Sequence, residues 1–157
     1  MKAFKFGWAL APFALFGCGG PVPADMFLTM SVSTQDVAVT TSINGKEDEF
    51  LSGDSGSMSG SRPINKLVRE GENENEAIFV LTPVANTGDD AAPTFLATLE
   101  IAIKGEIVDT LNPGERTLFS RELSAEEAAA ISAGESVTIT EHFTVDGAAL
   151  KAMKNGE

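Results

Sequence analysis

The chain has no tyrosine, and only one tryptophan, one cysteine and one histidine among its 157 residues. Each scarcity narrows the possibilities. The lone Trp8 lies in the N-terminal stretch, so the body of the chain offers neither Trp nor Tyr. Flat sugar-binding platforms stack pyranose rings on those faces, so a polysaccharide platform is a poor fit, whereas a hydrogen-bonding loop site stays open. A single cysteine cannot form an intramolecular disulfide, nor supply a Cys-based zinc or iron–sulfur site. A single histidine, His142, argues against zinc or iron catalysis. Basic residues are also few: 11 Lys and Arg stand against 23 Asp and Glu, a net charge of −12. Such a chain is repelled by nucleic acid and by anionic lipid surfaces. Basic partners and divalent cations are compatible with it. The apolar run Phe6 to Phe16 is too short for a bilayer span, which needs about 20 apolar residues, and Pro12 interrupts it.

That run follows Lys2 and Lys5 and ends in Leu15-Phe16-Gly17-Cys18. A charged start, an apolar middle and a small residue at the cut make the layout of a secretory signal peptide. The last four residues resemble the lipobox of bacterial lipoproteins, with Phe16 the one bulky departure. The resemblance implies cleavage before Cys18, a diacylglycerol thioether on that cysteine, and frequent acylation of the new N-terminus. It places the protein in the bacterial envelope, membrane-anchored and facing the periplasm. Gly19, rather than Asp, follows the cysteine, which favours the outer membrane. The expected organisation is a signal peptide over 1–17, lipidated Cys18 and tether over 18–25, and one domain over 26–157. Without 1–17 the chain keeps 9 basic and 23 acidic residues, a net charge of about −14. Lipidation consumes the only thiol, so stability must come from packing. The tether's seven residues, Gly19 to Asp25, reach at most about 25 Å.

Short alternating segments dominate the domain. Met26–Ser33 reads as a strand. In Gln35–Ile43, Val37, Val39, Thr41 and Ile43 share one face. Asn44-Gly45 is a strong hairpin signal, because a type I′ turn needs positive φ at both positions. Lys46–Leu51 is the expected return strand, with Glu47, Asp48 and Glu49 as a solvated edge. Ser52–Ser61 reads as a flexible low-complexity loop. Ile64–Val68 reads as a short strand, and Ala77–Leu81 as a central strand apolar on both faces. A loop is expected at Thr87–Ala92. Thr94–Lys104 points Phe95, Ala97, Leu99, Ile101 and Ile103 inward. A continuation at Ile107–Leu111, a turn at Asn112–Glu115 and a strand at Arg116–Leu123 follow.

Ser124-Ala125-Glu126-Glu127 is a capping box opening a short helix that Gly134 stops. Ser136–Val145 is a last strand, and Ala148–Lys154 a short terminal helix. Phe27, Phe50, Phe79, Phe95, Phe119 and Phe143 all fall in apolar-patterned segments and are expected in the core. This pattern implies a mainly β protein, an antiparallel β-sandwich of jelly-roll or immunoglobulin-like topology with one or two short helices near the C-terminus. The turn Ile64–Asn73 is similar to one found in jelly-roll sandwiches appended to sugar-processing enzymes, a likeness that speaks to fold rather than function.

Catalytic signals are thin. Gly53-Asp54-Ser55-Gly56 has the letters found around some serine-protease nucleophiles, and its base would have to be His142. Asp48/Glu49, Asp54 and Asp89/Asp90 could lend oxygens to calcium, but without a recognised loop spacing. Glu141 falls among Val137, Ile139, Phe143 and Val145 on an apolar face. Such a carboxylate is either an acid with a raised pKa or sits at a bulge or strand end that reaches water. His142 reads as a surface histidine. The expected function is therefore non-enzymatic: an envelope lipoprotein that binds another envelope protein through loops or an edge strand, with no cofactor and no metal. The alternative is a small-ligand or calcium-binding accessory lipoprotein that uses the Ser52–Ser61 and Thr87–Ala92 loops.

Overall fold

The computed structural model describes residues 26–69, 74–84, 92–104 and 116–146. The signal segment, Cys18 and the tether lie outside them. So do most of the 87–92 loop with Asp89 and Asp90, the 107–111 continuation, the 112–115 turn and the 148–154 helix.

Hydrophobic parity dictates the first architectural step. Buried Leu28, Met30 and Val32 occupy even positions, whereas buried Val37, Val39 and Ile43 occupy odd ones. Side chains alternate along a strand, so the chain must reset its face between the two sets. It does so at Asp36, with φ 58°. β1 (Met26–Gln35) lies in one sheet and β2 (Val37–Ile43) in the other.

The hairpin at Asn44-Gly45 forms as expected, with φ of 51° and 76°. Its return strand, β3 (Lys46–Glu47), is only two residues long. Asp48 ends it by capping a 3-10 turn at Glu49–Leu51, accepting from the N–H groups of Phe50 and Leu51. Asp48 is therefore 3% exposed and not part of a solvated edge. The expected loop at Ser52–Ser61 is also corrected, because its second half belongs to β4 (Ser57–Pro63). β4 shows no apolar alternation because the 3-10 turn passes beneath it. A Cβ on Gly60 would lie 2.8 Å from the Phe50 carbonyl oxygen. Ile64–Val68 forms turns rather than a strand, and both named residues are buried. Asn65 fixes that segment by accepting the Leu28 N–H at 2.7 Å.

β5 (Asn75–Pro83), β6 (Thr94–Ile103) and β7 (Thr117–Glu122) follow. β5 buries Ala77, Phe79 and Leu81, but Val80 is 36% exposed, so one face packs rather than two. The capping box of α1 (Ala125–Ser132) is made in both directions. Ser124 Oγ accepts the Glu127 N–H, and the Glu127 carboxylate accepts the Ser124 N–H. Gly134, at φ 90°, ends the helix and leads into β8 (Val137–Phe143).

The eight strands of the described residues form two four-stranded antiparallel sheets, β4-β1-β6-β7 and β3-β2-β5-β8. Their pairings nest. The β2–β3 hairpin is extended by β1–β4, and the β6–β7 hairpin by β5–β8. β1–β6 and β2–β5 join the two nests side by side. This is an antiparallel β-sandwich. Two four-stranded keys divided four and four fit the jelly-roll alternative, since the constant immunoglobulin sandwich divides four and three.

The core lies between the sheets, with Leu28, Met30 and Leu99 from one and Phe79, Leu81 and Ile43 from the other, all fully buried. Each such side chain contributes about 1.5–3 kcal/mol on burial, in a domain that has no disulfide to help. Phe79 and Phe95 meet across the sandwich at 5.2 Å, and Phe119 and Phe143 close its β7–β8 side at 6.0 Å. Phe50 departs from expectation. It rides on the 3-10 turn and is 58% exposed.

The two ends of the sandwich differ. At the Met26 end, Asn44 ties three segments together. Its Nδ2 donates to the Leu67 carbonyl and to Asn75 Oδ1, and its Oδ1 accepts the Glu76 N–H. At the Asp36 end, the β1–β2 bend meets the end of β5 and the last turn of α1 around a cavity.

Candidate functional site

The residues weighed as catalytic candidates do not converge. Gly53 bridges to Val39 of β2, whereas His142 lies on β8. β5 stands between β2 and β8 in that sheet, so the Gly53–Gly56 segment and His142 sit on opposite sides. Ser55 Oγ donates to the Ser57 carbonyl, and His142 Nδ1 lies 3.4 Å from Glu74 Oε1 on the surface. Asp48 is committed to its cap and to Arg62 at 3.3 Å. Among the described residues, no three His, Cys, Asp or Glu side chains are grouped to hold a metal.

Glu141 does share the inward face with Ile139 and Phe143. The β5–β8 register is unbroken there, so no bulge turns it outward. It is accommodated by Arg121, whose Nε lies 3.4 Å from Glu141 Oε1. The same guanidinium reaches Glu127 Oε1 at 2.5 Å and donates to the Glu122 carbonyl. Partial burial pushes the Glu127 carboxyl up. The Ser124 backbone N–H, the Arg121 guanidinium and the Ser124 hydroxyl outweigh that, and its pKa falls below the ordinary carboxylate value. Arg121 thus clamps β7, α1 and β8 together. Both carboxylates are used in that structural role.

Three features carry the site, and of them the sequence pattern marked only the Ser52–Ser61 stretch, as a candidate ligand loop rather than as a strand. The first is the edge strand β4, which pairs only with β1 among the described residues. Ser57, Ser59 and Ser61 are exposed along it, and no charge interrupts Ser57–Ser61. Edge strands are ordinarily guarded by charge, proline or shortness, because their free N–H and C=O groups template further pairing. β4 has these only at its end, Arg62 and Pro63, whereas the other three edges carry them along their length or are short. β3 has two residues, β7 holds Arg121 and Glu122, and β8 holds Glu141 and His142. Phe50 stands exposed beside this unguarded stretch, its own carbonyl packed under Gly60.

The second feature is a groove on the outer face of the β4-β1-β6-β7 sheet. Cavities of about 200 and 460 Å³ share Ser33 and Leu96. Ser31, Ser59, Ser61 and Thr98 line the first, with Ser31 donating to Ser61 Oγ at 2.8 Å. The second runs toward Glu122 and the start of α1. The third feature is the cavity of about 300 Å³ at the Asp36 end. The parity switch at Asp36 was available as a signal for the bend. Nothing in the local pattern marked β4 as a strand or Phe50 as exposed.

These features provide main-chain pairing groups, an apolar anchor and polar concavities, which suit recognition. No family model, no curated protein and no solved structure matches the chain.

Proposed function

We propose that the protein is a non-enzymatic, lipid-anchored module of the bacterial envelope that docks another envelope protein along β4. The observation that carries this reading is the uncharged stretch Ser57–Ser61 on an exposed edge, with Phe50 58% exposed beside it. An extended segment of the partner adds to such an edge through main-chain hydrogen bonds. A neighbouring aromatic supplies the apolar anchor that concentrates binding energy. The anchor at Cys18 and the short tether keep this edge near the membrane, with the outer membrane the favoured one.

The test is cross-linking in cells with a photoreactive residue at Ser59, and at Thr138 on the guarded β8 edge as the control. One dominant partner is expected from Ser59 alone, and Phe50→Ala should abolish it without unfolding the domain. Bulk envelope proteins captured equally from both positions would refute the reading. Cys18→Ala should release the protein from the membrane fraction.

One observation favours a second reading. The Thr98 hydroxyl, in a residue 1% exposed at the floor of the groove, has no hydrogen-bond partner. Under this reading the protein is a small-ligand accessory lipoprotein. A polar ligand filling the groove would then raise the melting temperature, since binding to the folded state stabilises it.

A further inference from the structure

The cavity at the Asp36 end is bounded by Asp36, by Pro83 and Val84 at the end of β5, by Pro93, and by Ile131, Ser132 and Gly134 of the α1 terminus. Its walls are largely apolar, and its two prolines have no N–H to donate. Its one charged group among the described lining residues is the Asp36 carboxylate. Asp36 Oδ2 is shielded from water and has no hydrogen-bond partner. A buried carboxylate oxygen without a donor is costly, and this one is held on a residue at φ 58°. The other polar boundary is the negative end of α1, whose last turn carries no basic residue. The cap bonds use the carbonyls of Ala129, Ala130 and Ile131, and the Ser132 hydroxyl is spent on the Ala128 carbonyl. Among the described residues, no lysine or arginine lines it.

We infer that this cavity receives a lysine side chain of the partner that docks along β4, an inference that rests on the docking reading above. The apolar walls suit the methylene stem, while Asp36 and the helix end suit the ammonium. Aspartate χ2 is soft, so Oδ2 can turn toward an arriving cation. Calcium wants six to eight oxygens, far more than one carboxylate and a few carbonyls supply. The cavity lies beside the chain that leads into the docking edge. A Cβ on Gly56, one residue before β4, would lie 2.9 Å from Val84 Cγ2 and 3.7 Å from Asp36 Cα. The net charge of −12 also favours a basic partner.

The test is a nitrogen-15 NMR titration of the full chain in detergent micelles with N-acetyl-Ala-Lys-Ala-amide. The same peptide acetylated on its lysine is the control. Backbone amides of Val37, Ile131 and Gly134 should shift saturably with the first peptide and not with the second. Asp36→Asn, which keeps a side chain tolerant of positive φ, should weaken the response about tenfold or more. No saturable shift up to tens of millimolar, equal shifts with the acetylated peptide, or shifts centred elsewhere would overturn the inference. Saturable shifts of the same amides with calcium chloride alone would also overturn it, in favour of a metal. Because the titration needs no partner, its failure with the Ser59 cross-link intact refutes the lysine pocket alone. Loss of that cross-link refutes the docking reading instead.

Discussion

Replacing Arg121 with methionine tests whether one guanidinium holds the β7–β8 side of the sandwich shut. The variant keeps an unbranched stem but leaves Glu127 and Glu141 without their common partner. All three side chains are about a quarter exposed, at 27%, 23% and 27% for Arg121, Glu127 and Glu141. Fully exposed ion pairs contribute about 0.2–1 kcal/mol, and buried hydrogen bonds to charged groups about 1.5–3 kcal/mol. With solvent screening, the close pair to Glu127 should contribute about 1 kcal/mol and the longer one to Glu141 about 0.5 kcal/mol. The expected loss of about 1.5 kcal/mol corresponds to a melting temperature lower by about 5 °C in a domain of this size.

The pH dependence is the sharper readout. The Glu127 carboxyl is held below its ordinary value of 4.5 in the folded protein. Its contribution is therefore fully present above the unfolded pKa and is lost as pH falls through the folded one. The gap between the parent and Arg121→Met should stay constant at neutral pH and close on acidification below that value. Urea unfolding at several pH values, with Glu127→Gln and Glu141→Gln completing two double-mutant cycles, measures each coupling. A parent–variant difference within about 0.3 kcal/mol, inside the usual error of additivity, would refute the clamp. So would a gap that is unchanged in acid.

Other substitutions address the remaining structural joints. Asn44→Gly retains the left-handed turn but removes three hydrogen bonds to Leu67, Asn75 and Glu76. It should cost about 2–3 kcal/mol in urea unfolding, and a neutral result would mean that the turn alone fixes this end. Gly60→Ala drives a methyl to 2.8 Å from the Phe50 carbonyl. It should cost about 1–3 kcal/mol and shift the Phe50 amide resonance, because the 3-10 turn must move. Ser124→Ala removes the helix cap and should cost about 1 kcal/mol, with faster hydrogen exchange confined to the first turn of α1.

The sandwich was legible where burial leaves a period-two record. Phe95, Ala97 and Leu99 on β6 and Val37, Val39 and Ile43 on β2 are such records, and the structure buries all six. Turn and cap chemistry was equally plain at Asn44-Gly45 and at Ser124–Glu127, because positive φ and orphan helix N–H groups each demand particular residues. β4 left no record. An edge strand with backbone packed under its inward face has no use for apolar alternation, so Gly60 stands where a core residue would otherwise lie. Ile64 and Val68 are buried without forming a strand because a turn can insert two apolar side chains into a core as well as a strand can. Glu141 was legible as an anomaly, but its resolution was not. Arg121 is twenty residues away in sequence, and only the β7–β8 closure brings them together. The site was hidden for a related reason, since exposure of Phe50 and enclosure of Asp36 depend on segments remote in sequence.

The register of β1 gives the proposed site a direction. Its ten residues run from Met26 to Gln35, next to the cavity-lining Asp36, a rise of about 33 Å. Under the proposed anchoring at Cys18, the chain would enter the sandwich at the Met26 end, and the Asp36 cavity lies at the other. β4 runs back the opposite way, with Ser57 paired to Gln35 and Pro63 to Thr29. A partner segment adding antiparallel to β4 would thus enter at the tethered end and finish at the cavity. The lysine it inserts would lie at the C-terminal end of that segment. Parallel addition would place it at the N-terminal end. Mapping the partner residues cross-linked from Ser59 and from Ser61 fixes the direction, because successive outward positions on β4 must meet successive positions on the added strand. A mapped direction that carries the partner's lysine away from the Asp36 end would separate the edge from the cavity and leave the two as independent sites.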